Sequence, residues 1–153
     1  MLANANDRVF VGPAIAWEIN YLNKCETLGI TRQTVIDQGY QAEIEATQAT
    51  VEKLRAAGVK LVVGGDYGIS IAPHGTYAQD LEFFVDYFSM SAGEALLCAT
   101  KNGGLAVDPA GGRGTLEVGK LADALIIDGN PLRDVRILQD HTLISVIKNG
   151  QHV

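Results

Sequence analysis

The sequence has few of the residues that build disulfide-bonded, nucleic-acid-binding or membrane-spanning proteins. Its two cysteines, Cys25 and Cys98, lie far apart without a CxxC spacing, which argues against a zinc knuckle or a dithiol redox motif. Lysine and arginine number 12 against 18 acidic residues, and the net charge of −6 disfavours a phosphate backbone or an anionic membrane as partner. We therefore expect reduced thiols in a protein that binds neither nucleic acid nor membrane.

Long apolar runs are also missing, since no stretch approaches the roughly 20 residues that a membrane span needs. The first residues, MLANANDRVF, lack the basic start and the apolar run of a secretion signal. These absences lead us to expect a cytoplasmic protein. Hydrophobic residues are abundant: they make up 47% of the 153 positions, which is ample for one compact body with a buried core.

The first half of the chain has the pattern of a strand, helices and a second strand. The apolar run Arg8–Ile15 and the run Val59–Asp66 each predict a buried parallel strand. Between them, a helix from Trp17 to about Lys24 is followed by Thr31, a plausible N-cap. An amphipathic helix then has its core-facing stripe at Ile44, Thr47, Val51 and Leu54. This order predicts a βαβ crossover.

The second half predicts two helices and then a change of structural class. Residues 78–88 are expected to form a helix with one apolar face. Ser91 and Glu94 have the spacing of a capping box, which predicts the start of a second helix that runs to Asn102. Gly103 is expected to end that helix in the left-handed conformation. Antiparallel strands are expected beyond about residue 105, at 114–117, 122–128 and 143–148.

Asp66 and His74 are the residues with the clearest chemical potential. Asp66 follows a predicted parallel strand, where α/β barrels place catalytic groups, and Gly64, Gly65 and Gly68 let the chain turn sharply there. An N-cap or turn aspartate is an equally good interpretation. His74 could bind a metal or a substrate carbonyl, or could be a solvated loop histidine. One aspartate and one histidine do not make a metal site, which usually takes three or more ligands.

Longer stretches resemble a known family. The runs Gly58–Asp66, His74–Leu81 and Glu94–Asn102 resemble the last barrel strand and following helices of the amidohydrolase superfamily. The stretch Gly114–Leu132, with its Gly-Lys-Leu-Ala-Asp segment, and the stretch Val146–Gly150 look like the ending shared by imidazolonepropionase-like and prolidase-like members. Together these motifs cover most of the chain from about residue 45 onward.

The resemblance implies an α/β fold that is only part of a larger one. It implies that residues 1–105 are the C-terminal segment of a TIM-like (β/α)8 barrel, with its last two strands and their helices. Residues 106–153 would be strands of a flanking small β-sandwich. The histidine pair of the first barrel strand, the bridging lysine and the middle-strand histidines of the family have no counterpart in this sequence.

The resemblance also implies a function: metal-dependent hydrolysis of C–N bonds in amides, ureas, carbamates or cyclic amides. Asp66 would ligate the metal and carry a proton to and from the attacking water, and Tyr67, His74 and Gly75 would contact the substrate. One or two divalent ions are implied, with zinc first and cobalt or manganese as alternatives. Gly65 stands where the family commonly has threonine, and Tyr77 where it often has asparagine, so substrate choice stays open.

The missing motifs leave the status of the chain open. The remaining strands would come from an N-terminal barrel region or a partner chain, the isolated chain is expected to be inactive, and the complete protein is expected to be a homo-oligomer. Two other interpretations stand beside the enzyme: a non-catalytic structural subunit or degenerate fragment, and a self-contained α/β ligand-binding domain.

Overall fold

The computed structural model describes residues 9–153, a mixed α/β chain with two β-sheets. The first sheet contains β1 (Phe10–Val11) and β2 (Lys60–Leu61). The second contains β3 (Ala124–Ile127), β4 (Ile144–Lys148) and β5 (Gln151–His152), antiparallel in the order β3-β4-β5. The predicted α/β class is confirmed.

The two early strands pair in parallel, as the crossover pattern predicts. Phe10 pairs with Lys60 and Val11 with Leu61, and the Val62 N–H donates to the Val11 carbonyl over 3.0 Å. Both strands are shorter than predicted, and Arg8 lies outside the described residues. Pro13 cannot donate a ladder hydrogen bond, and Ala14 has φ of 51°, so pairing cannot continue along the predicted first strand.

Four helical segments connect the paired strands, and the first of them agrees with the predicted helix from Trp17 to about Lys24. They are α1 (Ala16–Lys24), a 3₁₀ turn (Cys25–Leu28), α2 (Arg32–Asp37) and α3 (Tyr40–Ala56). The predicted N-cap is confirmed, because the Thr31 side chain accepts the Thr34 N–H. Gly29 ends the 3₁₀ turn at φ of 72°, where a residue with a Cβ would be strained.

The core forms where these helices meet α4 (Gln79–Phe88). Its largest fully buried side chain is Phe84, which packs in one cluster with Ile19 of α1 and Ile44 and Val51 of α3. Ile44 and Val51 belong to the predicted core-facing stripe, and their burial confirms that part of it. No helix within residues 9–153 is long and apolar enough to cross a membrane.

The helix after the capping box does not end where predicted. Ser91 and Glu94 form the capping box, which is confirmed, and α5 (Ala92–Leu97) follows. The chain then widens into a π-helical turn (Cys98–Asn102) and continues as α6 (Gly103–Val107). Gly103 has φ of −59°, so the left-handed stop was a wrong prediction.

Tertiary contacts explain why this helix continues. The Asn102 side chain donates to the Leu61 carbonyl of β2 over 2.9 Å, which ties the π-helical turn to the parallel sheet. A Cβ at Gly104 would lie 2.6 Å from the Gly114 Cα and 2.9 Å from the Arg113 carbonyl oxygen. The absence of side chains at Gly104 and Gly114 therefore permits close packing of the helix on the loop. From the local sequence, glycines that permit such packing look the same as glycines that end a helix.

The C-terminal part agrees with prediction at two of three strands. Strands β3 and β4 lie within the predicted ranges 122–128 and 143–148, whereas residues 114–117 form no strand. Two 3₁₀ turns, Val135–Gln139 and His141–Leu143, precede β4. Val135 is buried in the helical core, and Arg136 forms ion pairs with Glu82 and Asp86 of α4.

We predict opposite effects for alanine at the two adjacent glycines of α6. Gly104→Ala should lower the free energy of unfolding by about 1–3 kcal/mol, because backbone atoms block its Cβ. Gly103→Ala is the control, because its nearest contact would be an ordinary 3.5 Å to the Cys98 carbonyl. Alanine there should stabilise by roughly 0.5–1 kcal/mol through helix propensity. Urea denaturation followed by the fluorescence of the single tryptophan, Trp17, measures both. Equal effects would contradict the packing.

Candidate functional site

The candidate site is the turn that carries Asp66. This residue lies five positions beyond the end of β2, and its side chain is exposed. Its φ of 53° is left-handed, a conformation uncommon for non-glycine residues although aspartate tolerates it better than most. Asp66 is not a helix N-cap, because the next helix begins at Gln79. Its exposed carboxylate is presented by a turn with an unusual backbone.

The turn is tightly packed on the side away from solvent. Gly65 is buried, and a Cβ there would lie 2.5 Å from Asp80 Oδ1, 2.5 Å from Tyr67 Cε2 and 2.7 Å from the Ala16 Cβ. Threonine, which the resemblance leads one to expect at this position, does not fit with Tyr67 in its present place. The Tyr67 ring can therefore occupy its position only because residue 65 is a glycine.

His74 and Tyr67 lie beside the same turn. The His74 ring packs on Gly68, where a Cβ would be 3.1 Å from Nε2, and its Nδ1 lies 3.0 Å from the Tyr77 hydroxyl. The Tyr67 and Tyr77 rings meet edge to face with centroids 5.0 Å apart. Tyr77 thus contacts both predicted residues, Tyr67 and His74, and the His74 ring lies against Gly68, two positions after Asp66.

Gly75 has a different position from the other predicted substrate residues. It is exposed at φ of 93°, and a Cβ at this position would meet nothing within 4 Å. The left-handed φ disfavours any residue with a side chain, so the glycine shapes the loop that carries His74. Its contact with a substrate stays a prediction.

Sequence reasoning missed Asp80. It lies in the first turn of α4 and is only 3% exposed. Its Oδ1 accepts the Tyr67 hydroxyl over 2.8 Å, and its carboxylate also accepts the Gly64 N–H. The residue falls inside the His74–Leu81 motif, but an acid near a helix start is ordinary, and nothing local marks it as buried.

Burial controls the protonation of this pair. It raises the pKa of Tyr67 far above the ordinary value, and the charge of Asp80 and its hydrogen bond raise it further. Burial also raises the pKa of the Asp80 carboxyl, although hydrogen bonds from Tyr67 and the Gly64 N–H counteract part of that rise. Tyr67 therefore keeps its proton at neutral pH, and its hydroxyl donates a hydrogen bond to Asp80. A protonated phenol cannot act as a general base there.

The described residues do not suffice for a metal centre. Within positions 9–153 there is no group of three or more His, Cys, Asp or Glu side chains that could hold one ion. Asp66 can supply one carboxylate oxygen, a suitable donor for zinc, manganese or cobalt. Any ion bound by Asp66 needs further ligands from outside this part of the chain.

A separate apolar groove of about 800 Å³ lies between the α5–α6 stretch and the C-terminal sheet. Its lining includes Leu96 and Val107 on the helical side and Leu125, Ile127 and Val146 on the sheet side. Neither Asp66, Tyr67 nor His74 lines it. The groove is thus distinct from the candidate site.

Comparison with known proteins gives the family. The sequence profile of the amidohydrolase family matches residues 6–153, nearly the whole chain. The chain therefore belongs to the amidohydrolase family, as the motifs around Asp66, His74 and Gly119 led us to expect.

Two named relatives have sequences similar to this chain. An ochratoxinase from Aspergillus niger is 35% identical over 95 residues, which are 61% of this chain and 19% of that protein. An imidazolonepropionase from Thermoanaerobacter pseudethanolicus is 31% identical over 110 residues, 72% of this chain and 25% of that protein. Both relatives carry names of hydrolases, and hydrolase is the class that this family membership supports.

Solved structures show the same likeness in three dimensions. The crystal structure of A. niger ochratoxinase superposes with a TM-score of 0.78 and 26% identity over 94% of this chain and 32% of that one. A Xaa-Pro dipeptidase with bound methionine in its active site superposes with a TM-score of 0.73 and 26% identity over 95% and 34%. The chain thus spans about a third of the solved structures and a quarter or less of the curated relatives it matches.

We predict that the turn that carries Asp66, residues 64–68, here called the acidic turn, tolerates alanine at one glycine and not at its neighbour. Gly65→Ala should lower the free energy of unfolding by about 1–3 kcal/mol, because its Cβ overlaps Asp80, Tyr67 and Ala16. Gly64→Ala is the control, since a Cβ there meets nothing within 4 Å and the backbone is not left-handed. It should change stability by less than about 1 kcal/mol. Urea denaturation measures both variants, and a tolerated Gly65→Ala would contradict this packing.

Proposed function

We propose that this chain supplies the C-terminal part of a metal-dependent hydrolase that cleaves C–N bonds in amides, ureas, carbamates or cyclic amides. One observation carries the proposal: a family member presents an exposed aspartate, Asp66, on a left-handed turn beyond two paired parallel strands. Functional side chains of α/β barrels are placed at that end of the strands. Residues held in sparsely populated backbone conformations also cluster at functional sites.

Asp66 has two tasks in this proposal. Its carboxylate contributes one ligand to a divalent ion, zinc first, with cobalt or manganese as alternatives and one or two ions in all. Such an ion would lower the pKa of bound water to about 7 and would polarise a carbonyl. Asp66 itself takes the proton from the attacking water and returns it to the leaving nitrogen, the task of a general acid–base group.

His74, Tyr67 and Gly75 form the substrate side of the proposed site. With Nδ1 bonded to the Tyr77 hydroxyl, the Nε2 of His74 is the ring nitrogen left for a polar substrate group such as a carbonyl. Tyr67 offers a ring face close to the acidic turn, while its hydroxyl is occupied by Asp80. Gly75 keeps the loop free of side-chain bulk.

The remaining ligands are proposed to lie in an N-terminal barrel region or a partner chain. The division is residues 1–105 for the barrel segment and 106–153 for the sandwich strands. Within residues 9–153, β1 and β2 pair with each other and with no further strand, whereas a closed barrel has eight strands and no edge. Support also comes from β3, an edge strand whose Leu125 and Ile126 are 53% and 62% exposed. Such apolar edges favour association.

In this proposal the isolated chain is inactive, and the assembled protein is a cytoplasmic homo-oligomer. A non-catalytic structural subunit is the alternative function. It is favoured by the lack of a three-ligand metal cluster within residues 9–153.

Replacement of the acidic residue tests the proposal. The chain is expressed together with an N-terminal barrel region, and zinc content and hydrolysis of amide and dipeptide substrates are measured. Asp66→Asn should reduce hydrolysis by about 100-fold or more, because the amide cannot accept the proton, and should lower bound zinc. Asp128→Asn, on an exposed turn after β3, is the matched control and should change neither. Unchanged activity and zinc content in Asp66→Asn would favour the structural subunit.

A further inference from the structure

We propose that Asp80 is a positioning residue: its buried carboxylate clamps the turn that carries Asp66 by holding the chain on both sides of it. The inference rests on the proposed function, because it assigns Asp80 to the alignment of the carboxylate that reacts there. Asp80 does not itself reach the reacting atoms.

The clamp consists of two hydrogen bonds to one side chain. The Gly64 N–H donates to the Asp80 carboxylate from two residues before Asp66. The Tyr67 hydroxyl donates to Asp80 Oδ1 over 2.8 Å from the residue after it. A single acceptor thus fixes the chain before and after the left-handed residue, which restricts the direction of the Asp66 side chain.

Asp80 can serve as an anchor because its own position is rigid. It lies on α4, next to the buried Leu81 and one helical turn before Phe84 of the core. The preceding residue, Gln79, accepts a hydrogen bond over 3.0 Å from Asn20, a buried side chain of α1. The helix start is therefore tied to the element that follows β1, while the clamp ties it to the segment that follows β2.

The surroundings of Asp80 exclude a direct chemical role. The residue is 3% exposed, and both bonded partners are hydrogen donors from the acidic turn. A buried carboxylate costs free energy unless it is hydrogen-bonded, so an apolar residue would suit a purely structural position better. Both donors flank Asp66, which indicates that this cost is linked to the site.

The packing against Gly65 adds an independent constraint. The space a Cβ would need there is occupied by Asp80 Oδ1 and by the Tyr67 ring. Asp80 and Tyr67 thus also pack against Gly65, the residue immediately before Asp66. Movement of Tyr67 away from Asp80 would remove one of the contacts that confine Gly65.

Two conservative substitutions test the clamp in the chain expressed together with an N-terminal barrel region, as in the test of Asp66. Tyr67→Phe removes one donor and keeps the ring, and Asp80→Asn replaces one acceptor oxygen with an NH₂ group. Each should reduce kcat per folded molecule by roughly 10–100-fold and weaken Zn²⁺ binding by a similar factor, as loss of a supporting hydrogen bond does. KM should change less than kcat. Tyr87→Phe is the control, since Tyr87 contacts Phe83 through its ring and should leave both quantities unchanged.

A readout independent of activity is the amide resonances of residues 64–68 in ¹H–¹⁵N spectra. Both clamp variants should shift these resonances, and Tyr87→Phe should not. Wild-type kcat, Zn²⁺ affinity and amide shifts in a folded Tyr67→Phe protein would overturn the inference, even if Asp80→Asn failed to fold. If Asp66→Asn loses activity while both clamp variants keep it, only the clamp fails; if Asp66→Asn keeps activity, the proposed function fails first.

Discussion

Parallel pairing between β1 and β2 is the constraint on which the candidate site depends. The register that joins Val11 to Leu61, extended by the Val62 N–H, sets the point at which the chain leaves the sheet. Asp66 follows within a few residues of the end of β2, and its neighbour Gly65 lies close to Ala16 at the start of α1. Without this pairing, nothing in the local sequence would place the acidic turn beside α1 and α4.

Helix α4 links the core to the site. Its apolar face includes Phe84, which belongs to the hydrophobic core, while its first turn carries the acid that holds the chain on both sides of Asp66. A helix anchored by burial is a stiffer support than a loop contact, which suits a site that requires defined geometry. The loop that carries His74 and Tyr77 leads into α4, so this helix supports both that loop and the turn that carries Asp66.

The C-terminal sheet has a different physical character from the helical part. Its strands keep large apolar side chains, among them Leu125 and Ile126, in contact with solvent, and Leu125 also lines an apolar groove. Exposed apolar grooves of this kind mark sites of ligand or protein association. The chain belongs to the amidohydrolase family and spans about a third of the solved structures it matches, which supports the proposal that this surface continues into further structure.

Sequence alone determined the features that depend on neighbouring residues. The Thr31 cap, the Ser91–Glu94 capping box and the β3 and β4 ranges were predictable, because caps and short apolar runs act within a few positions. Tertiary structure alone decided that Gly103 continues a helix and that Asp80 is buried beside Tyr67. Both outcomes follow from contacts between distant segments, namely the helix against the loop at Gly114 and the start of α4 against the acidic turn, and residue order does not encode such distances locally.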